Sequence, residues 1–263
     1  MSLTSVIIPA RNEVYLDKTI KDLLEKSVED IEIIVVLDGY WVPAVIDDKR
    51  VHYLHFGKAK GMRNAINSAV ALAKGKYILK SDAHCMYAKG FDKQLKTDHT
   101  RDTILVPSRY PLDPEKWEIE TRTDNKYPVE YEYLDKDDLH GVEWREKRDE
   151  RKDVKIDDII SAQGSCWFTT KRWFEKIGGL DESYGTFYLE FQELSFKTWT
   201  QGGKVQVDKN TYYCHWHKTG GRGYALSDDR NVAVKKMQEW KGKREWNQII
   251  KKFLPMPGFE HYA

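Results

Sequence analysis

The chain opens with short apolar runs that alternate with amphipathic stretches. Val6-Ile7-Ile8 is closed by Pro9, and apolar positions then recur at Leu16, Ile20, Leu23 and Leu24, the spacing of one helix face. Ile33-Ile34-Val35-Val36 is unbroken, the pattern of a parallel strand covered on both faces, and it ends at Asp38-Gly39. Residues 51–56 predict a third strand. Ala65, Ile66, Ala69, Val70 and Leu72 predict a second helix, and residues 76–80 a fourth strand that stops just before Asp82. Strands alternating with helices predict right-handed crossovers and a parallel sheet, with ligands gathered at the carboxyl ends of the strands. Asp38 and Asp82 both fall at such ends.

The pattern breaks over residues 111–160, where 17 acids stand against 10 bases among several aromatics, and this stretch reads as an insertion or lid-like excursion. Order returns at 161–170. Helices follow at 171–177, stopped by Gly178-Gly179, and at 189–200, closed by Gly202-Gly203. A strand is expected at 204–213 and a long helical tail beyond Tyr224, with its final helix at about 228–254. The fold class is α/β, a Rossmann-like, mainly parallel central sheet flanked by helices.

Composition narrows the function classes. With 40% hydrophobic and 32% charged residues, the chain is globular with a strongly solvated surface rather than disordered. A net charge of +1 gives no overall basic field announcing a nucleic-acid partner. Cys85, Cys166 and Cys214 cannot all pair with one another and show no CxxC spacing, which favours a reducing compartment. The first residues lack the basic start and long apolar stretch of a signal peptide, and no apolar run approaches the roughly 20 residues of a membrane span. A soluble, cytoplasmic enzyme is the expectation.

Asp82-Ala83-His84 sets a carboxylate and an imidazole just past a buried strand, where both can face one cation. Oxygen plus imidazole nitrogen suits Mn²⁺, with Mg²⁺ the alternative ion. The competing reading is a turn-capping Asp beside a surface histidine. Asp38 either meets a ligand or shapes the turn at Gly39. Lys58, Lys60 and Arg63 lie near a glycine-flanked helix start that could hold phosphate. Gly164-Ser165 permits close backbone approach, Glu190 and Glu193 share one helix face, and the glycine-rich run 219–224, with Arg222, has the composition of a loop that closes over a ligand. The last helix interleaves lysines with Trp240, Trp246 and Phe253, as a nucleic-acid or membrane surface would, or packs its aromatics on its own domain.

The order of Val6-Ile7-Ile8-Pro9-Ala10-Arg11-Asn12-Glu13, Ile33 to Asp38, Gly61-Met62-Arg63-Asn64-Ala65 and Asp82-Ala83-His84 resembles the nucleotide-binding half of family 2 type glycosyltransferases with the GT-A fold. Phe187 to Trp199, followed by Gly202-Gly203, is similar to the acceptor-side segment of the polypeptide N-acetylgalactosaminyltransferases, which also use Asp-x-His. The resemblance implies a metal-dependent enzyme moving a sugar from a UDP-type donor to a hydroxyl acceptor. It implies Asp82, His84 and His215 as metal ligands, with His217 the competitor for the third place. Pro9, Ala10, Arg11, Glu13, Asp38, Arg63, Asp82, Ala83, Gly164, Ser165 and Arg222 are implied on the donor side, and Glu190, with Glu193 the weaker partner, as the catalytic carboxylates. Phe191 stands where inverting relatives keep an Asp base, so the resemblance implies retention.

The domain expected is a catalytic unit over 1–227, comprising a nucleotide-binding half at 1–100, the charged insertion at 111–160 and an acceptor half with metal-ligand and lid segments at 161–227. A helical extension follows at 228–263. A glycan, a polypeptide and a hydroxylated DNA base are the acceptors considered, and a non-catalytic nucleotide-sugar-binding module is the alternative of another class.

Overall fold

In the computed structural model, which describes residues 2–121, 127–218 and 229–262, the chain begins β1 (Thr4–Ala10), α1 (Leu16–Lys26), β2 (Ile31–Asp38), β3 (Val51–Phe56), α2 (Met62–Leu72) and β4 (Tyr77–Ser81). β1 lies between β2 and β4, parallel to both, and β3 extends the sheet beyond β2. Every residue of β1 and β2 is buried, for the reason their unbroken apolar runs suggest. Ile7, Ile34 and Val36 face a core shared with Ala65, Ile66 and Ala69 of α2. Val6, Ile8, Ile33 and Val35 face the opposite core, shared with Leu16, Ile20 and Leu23 of α1.

The second half continues as β5 (Cys85–Tyr87), α3 (Phe91–Asp98), β6 (Thr103–Asp113), β7 (Glu118–Ile119), β8 (Glu132–Leu134), β9 (Gly141–Glu143), α4 (Arg145–Glu150), β10 (Ile156–Asp158), β11 (Cys166–Thr170), α5 (Lys171–Lys176), α6 (Glu190–Thr200), β12 (Lys204–His215), α7 (Asp229–Gln238) and α8 (Arg244–Lys252). The main sheet runs β10-β12-β6-β11-β4-β1-β2-β3, with β5 paired to β12 and β7 to β6. β11 enters antiparallel between β4 and β6, while β12 is parallel to β6. The sheet is therefore parallel in its first half and mixed in its second.

Three elements depart from the sequence expectation. β6 was hidden because Pro107 and Pro111 interrupt an apolar start at Thr103–Val106, and proline removes ladder donors. The stretch 111–160 is, in its described part, a packed wall rather than a detached excursion. Leu134 and Leu139 are fully buried in the core cluster of α6, and β10 joins the main sheet through β12. The final helix is two helices, broken at Gly242, whose φ of 86° suits glycine. Its aromatics are packed inward: Trp246 is fully buried and stacked on Phe196 of α6, with ring centroids 4.8 Å apart, and Trp240 donates to the Tyr184 hydroxyl. All three cysteines are free and buried. Among the described residues no helix is long and apolar enough to cross a membrane.

Candidate active site

A cleft of about 970 Å³ opens across the carboxyl ends of β1, β2 and β4. Pro9, Ala10, Arg11, Glu13, Asp38, Asp82, Ala83, His84, Gly164, Ser165, Glu190 and His215 all line it. The place follows from the sheet, since strand ends leave backbone and side chains facing one crevice.

At its centre stand Asp82, His84 and His215, whose ligand atoms lie within 4.8 Å of one another. Strand register brings them together. β12 pairs antiparallel with β5 so that His215 sits opposite Cys85, and the Trp216 N–H donates to the His84 carbonyl at 3.2 Å. The Nε2 atoms of both imidazoles face the same Asp82 oxygen, Oδ2, at 3.2 Å from His215 and 3.9 Å from His84. The other ring nitrogen of His215, Nδ1, is buried with no partner. Burial pushes the His215 imidazole down to about 3, so it is neutral at ordinary pH. Burial pushes the Asp82 carboxyl up, but Lys80 and the two histidines outweigh it and hold the group well below the usual carboxylate range.

Glu13 supports this centre. Its Oε2 lies 3.0 Å from His84 Nδ1 and its Oε1 accepts from Lys218 at 2.6 Å, which leaves His84 Nε2 turned toward Asp82. A carboxylate on the far nitrogen fixes a ligand histidine's tautomer and orientation. Trp216 packs edge-on against His84 at 5.8 Å and against Tyr15 at 5.0 Å. The sequence placed Glu13 near the donor; only the fold aims it at a histidine.

Asp38 lines the cleft, yet its two oxygens accept the backbone N–H groups of Lys60 and Gly61 at 2.6 and 3.0 Å. It therefore ties the end of β2 to the start of α2. Gly61 is required there: its φ is 92°, and a Cβ would lie 2.3 Å from that of Thr186. Ser165 hydrogen-bonds the Tyr213 hydroxyl at 2.7 Å, and its carbonyl accepts the Asp82 N–H at 2.8 Å, so the Gly164-Ser165 turn braces the loop carrying Asp82.

Arg63 and Glu193 do not line the cleft. They form a buried ion pair, and Glu193 also takes Lys197 at 2.5 Å and the Asp181 N–H at 2.7 Å. Arg63 in addition donates to the Tyr188 carbonyl at 2.7 Å. That carbonyl belongs to a strained turn, because Tyr188 and Leu189 have φ of 97° and 59° without being glycine. The Tyr188 N–H donates to Glu190 Oε1 at 2.9 Å and its hydroxyl to Asp138 Oδ2 at 2.9 Å. Arg63 thus holds the turn that delivers Glu190 to the cleft, while Glu193 anchors Arg63. Burial raises the Glu190 carboxyl, partly offset by Arg63. Phe191, next to it, is almost wholly buried. Arg222 and the rest of 219–224 lie outside the described residues.

Two lining residues, Arg109 and Glu132, left no sequence signal, and the structure sets His217, the competitor for the third ligand place, against Arg109 instead. Arg109, on β6, donates to Glu132 Oε1 at 3.0 Å and lies 2.9 Å from His217 Nε2. Guanidinium can only donate, so that nitrogen of His217 accepts and its proton resides on Nδ1. Glu132 is buried, which raises its carboxyl against the pull of Arg109. It comes from the aperiodic stretch where no pattern marks an inward face. Arg109, Glu132 and His217 give the cleft a polar wall beyond the Asp82 centre.

The chain's relatives agree with this architecture. Residues 5–178 match the glycosyl transferase family 2 model. Polypeptide N-acetylgalactosaminyltransferase 4 of Mus musculus is 25% identical over 228 residues, covering 81% of this chain and 39% of the mouse protein. Polypeptide N-acetylgalactosaminyltransferase 5 of Caenorhabditis elegans is 25% identical over 230 residues, covering 78% of this chain and 35% of its own. The chain thus spans well under half the length of these relatives. Among solved structures, GalNAc-T7 with UDP, GalNAc and Mn²⁺ superposes with a TM-score of 0.73 at 19% identity, over 90% of this chain and 48% of that one. S. aureus TarS 1–349 in complex with UDP-GlcNAc gives 0.60 at 14% identity, over 97% and 72%. At such identities the likeness is one of fold, and the fold is GT-A, with parallel strands ending at the Asp82 cleft. The match across most of the sheet, Asp82 and its strand included, makes this chain a member of glycosyl transferase family 2.

Proposed function

We propose that this chain transfers a sugar from a UDP-type nucleotide sugar to a hydroxyl acceptor, with a divalent cation, Mn²⁺ before Mg²⁺, held by Asp82, His84 and His215. The observation that carries this is the convergence of two imidazole nitrogens on one carboxylate oxygen at the centre of the cleft. The donor set fits the ion. One carboxylate and two histidines suit a borderline cation, Glu13 supplies the outer partner of His84, and His215 is held neutral as ligation requires. The relatives point the same way, GalNAc-T7 having been solved with UDP and Mn²⁺ and TarS with UDP-GlcNAc.

In this reading Pro9, Ala10 and Arg11 at the end of β1 face the nucleoside. Asp38 acts by shaping that wall, since backbone groups already occupy its oxygens. The ion, when bound, neutralises the charge that grows on the departing diphosphate. Gly164 and Ser165 lie beside Asp82 and leave room for the sugar. Glu190, set by the Tyr188 turn, positions the sugar or the acceptor hydroxyl. Phe191 offers no base beside it, which supports transfer with retention of the anomeric configuration. The acceptor would approach past Arg109, Glu132 and His217, and a glycan or polypeptide hydroxyl suits that polar wall.

The test is UDP release from UDP-GalNAc, UDP-GlcNAc and UDP-glucose with Mn²⁺ and hydroxyl acceptors, with the product anomer assigned by NMR. At least one donor should turn over above background and keep its anomeric configuration. Background release with every donor would remove the activity, and an inverted product would remove retention.

A further inference from the structure

Lys80 is a lysine one residue from the carboxyl end of a central sheet strand, β4, and it is 1% exposed. On β4 it lies opposite Ile7 of β1 and Trp167 of β11, between two apolar neighbours. A buried ammonium is costly unless its hydrogens are satisfied. Here it contacts Asp82 Oδ1 and donates to the Gly164 carbonyl at 2.6 Å. Asp82 is thereby divided: one oxygen belongs to a fixed cation, and the other faces the two histidines. Among the described residues Lys80 is the cation in contact with that carboxylate.

The charges around the centre can be counted from these contacts. Asp82 is cancelled by Lys80, and Glu13 by Lys218 at 2.6 Å. The histidines are neutral when they ligate. A divalent cation would therefore meet two carboxylates that are each already paired, with an ammonium on the one that ligates. A sugar diphosphate carries two negative charges, enough to balance the ion.

We propose that Lys80 is a charge-setting residue that keeps the cation site weak on its own, so that the anionic donor and the cation bind as a unit. This rests on the function proposed above. Lys80 opposes the ion through Asp82, so the direct attraction between ion and diphosphate has to supply the affinity that Lys80 removes. By linkage, each raises the affinity of the other by the same factor. A lysine that only braced the Gly164 turn would give no gain in affinity for Mn²⁺ alone when its charge is removed.

The experiment is Mn²⁺ binding by electron paramagnetic resonance, with and without UDP, on the wild type, Lys80→Met and Lys80→Arg. In the wild type Mn²⁺ alone should bind weakly and UDP should tighten it. Lys80→Met should tighten Mn²⁺ alone by roughly tenfold, the scale of one unit charge removed near a shared carboxylate, while the factor by which UDP tightens it further persists. Lys80→Arg, which keeps the charge, should behave as the wild type does. If Lys80→Met does not fold, Lys80→Gln, which retains a donor for the Gly164 carbonyl, carries the same expectation. Unchanged or weaker Mn²⁺ binding in the neutral variant overturns the proposal. If UDP leaves wild-type Mn²⁺ affinity unchanged while the neutral variant still binds Mn²⁺ more tightly, the charge opposition stands and the UDP-donor reading falls.

Discussion

Asp82, His84 and His215 bring three ligand atoms within 4.8 Å of one another, and so do Asp135, Asp138 and His140 in the loop between β8 and β9. The residue types are nearly the same, but their commitments differ. Asp138 accepts the Tyr188 hydroxyl and the Arg230 guanidinium and pairs with His140 at 2.5 Å. Asp135 Oδ1 accepts the N–H groups of Asp137 and Asp138, which is what an Asp at a turn does. Burial pushes the Asp138 carboxyl up, but His140 and Arg230 outweigh it and keep it ionised. This second cluster is a joint between the β8–β9 loop, helix α7 and the strained Tyr188 turn.

The first cluster is built the other way. Two histidine nitrogens share one carboxylate oxygen, one buried nitrogen is without a partner, and an outer carboxylate orients one of the rings. Ligand-type atoms are common on protein surfaces; ligand atoms held close with their hydrogen bonding incomplete are not. That difference, rather than residue identity, separates the proposed cation site from a structural knot.

The largest test of this contrast is ligand removal. Asp82→Ala and His215→Ala should each weaken Mn²⁺ binding, measured with UDP present, by more than about a hundredfold, beyond what loss of an outer partner does. Asp138→Ala should leave Mn²⁺ binding unchanged and lower the melting temperature instead. Equal loss of Mn²⁺ binding from both clusters would erase the distinction.

An intermediate effect is expected at Glu13. Glu13→Gln should reduce Mn²⁺ affinity about 10–100-fold by releasing His84, with the fold retained by circular dichroism. Unchanged affinity would show that His84 needs no partner to be oriented.

The smallest effect is on pH dependence in the absence of metal. The native His215 imidazole is depressed from 6.5 to about 3 by burial, so the unfolded chain takes up its proton first as pH falls. Its contribution to stability is complete above about pH 6.5 and is lost progressively toward pH 3. His215→Gln lacks this loss, so its melting temperature should fall less than the wild type's between pH 7 and pH 4. A parallel decline in the two proteins would mean that His215 is not buried as a neutral ring.

The two halves of the chain were legible to different degrees. Val6 to Ile8 and Ile33 to Val36 announced two-sided strands because a parallel strand between helix layers needs apolar residues on both faces. Asp38, Asp82 and His84 could be placed at strand ends for that reason. β6 escaped because Pro107 and Pro111 interrupt it, and the wall holding Glu132 has no period to read. Glu190 and Glu193 show the limit of spacing most clearly: one helix face predicted a shared role, yet one carboxylate lines the cleft and the other is closed into a pair with Arg63.

By itself, then, the sequence determined the parallel half of the sheet, the local Asp-x-His pair and the family, since these depend on patterns within a few residues or on ordered motifs along the chain. Tertiary structure decided which carboxylates face the cleft, that Glu13 orients His84, that Asp38 serves the backbone, and that Lys80 shares Asp82. Such facts depend on which distant side chain satisfies which buried polar atom, and that is settled by strand register and packing.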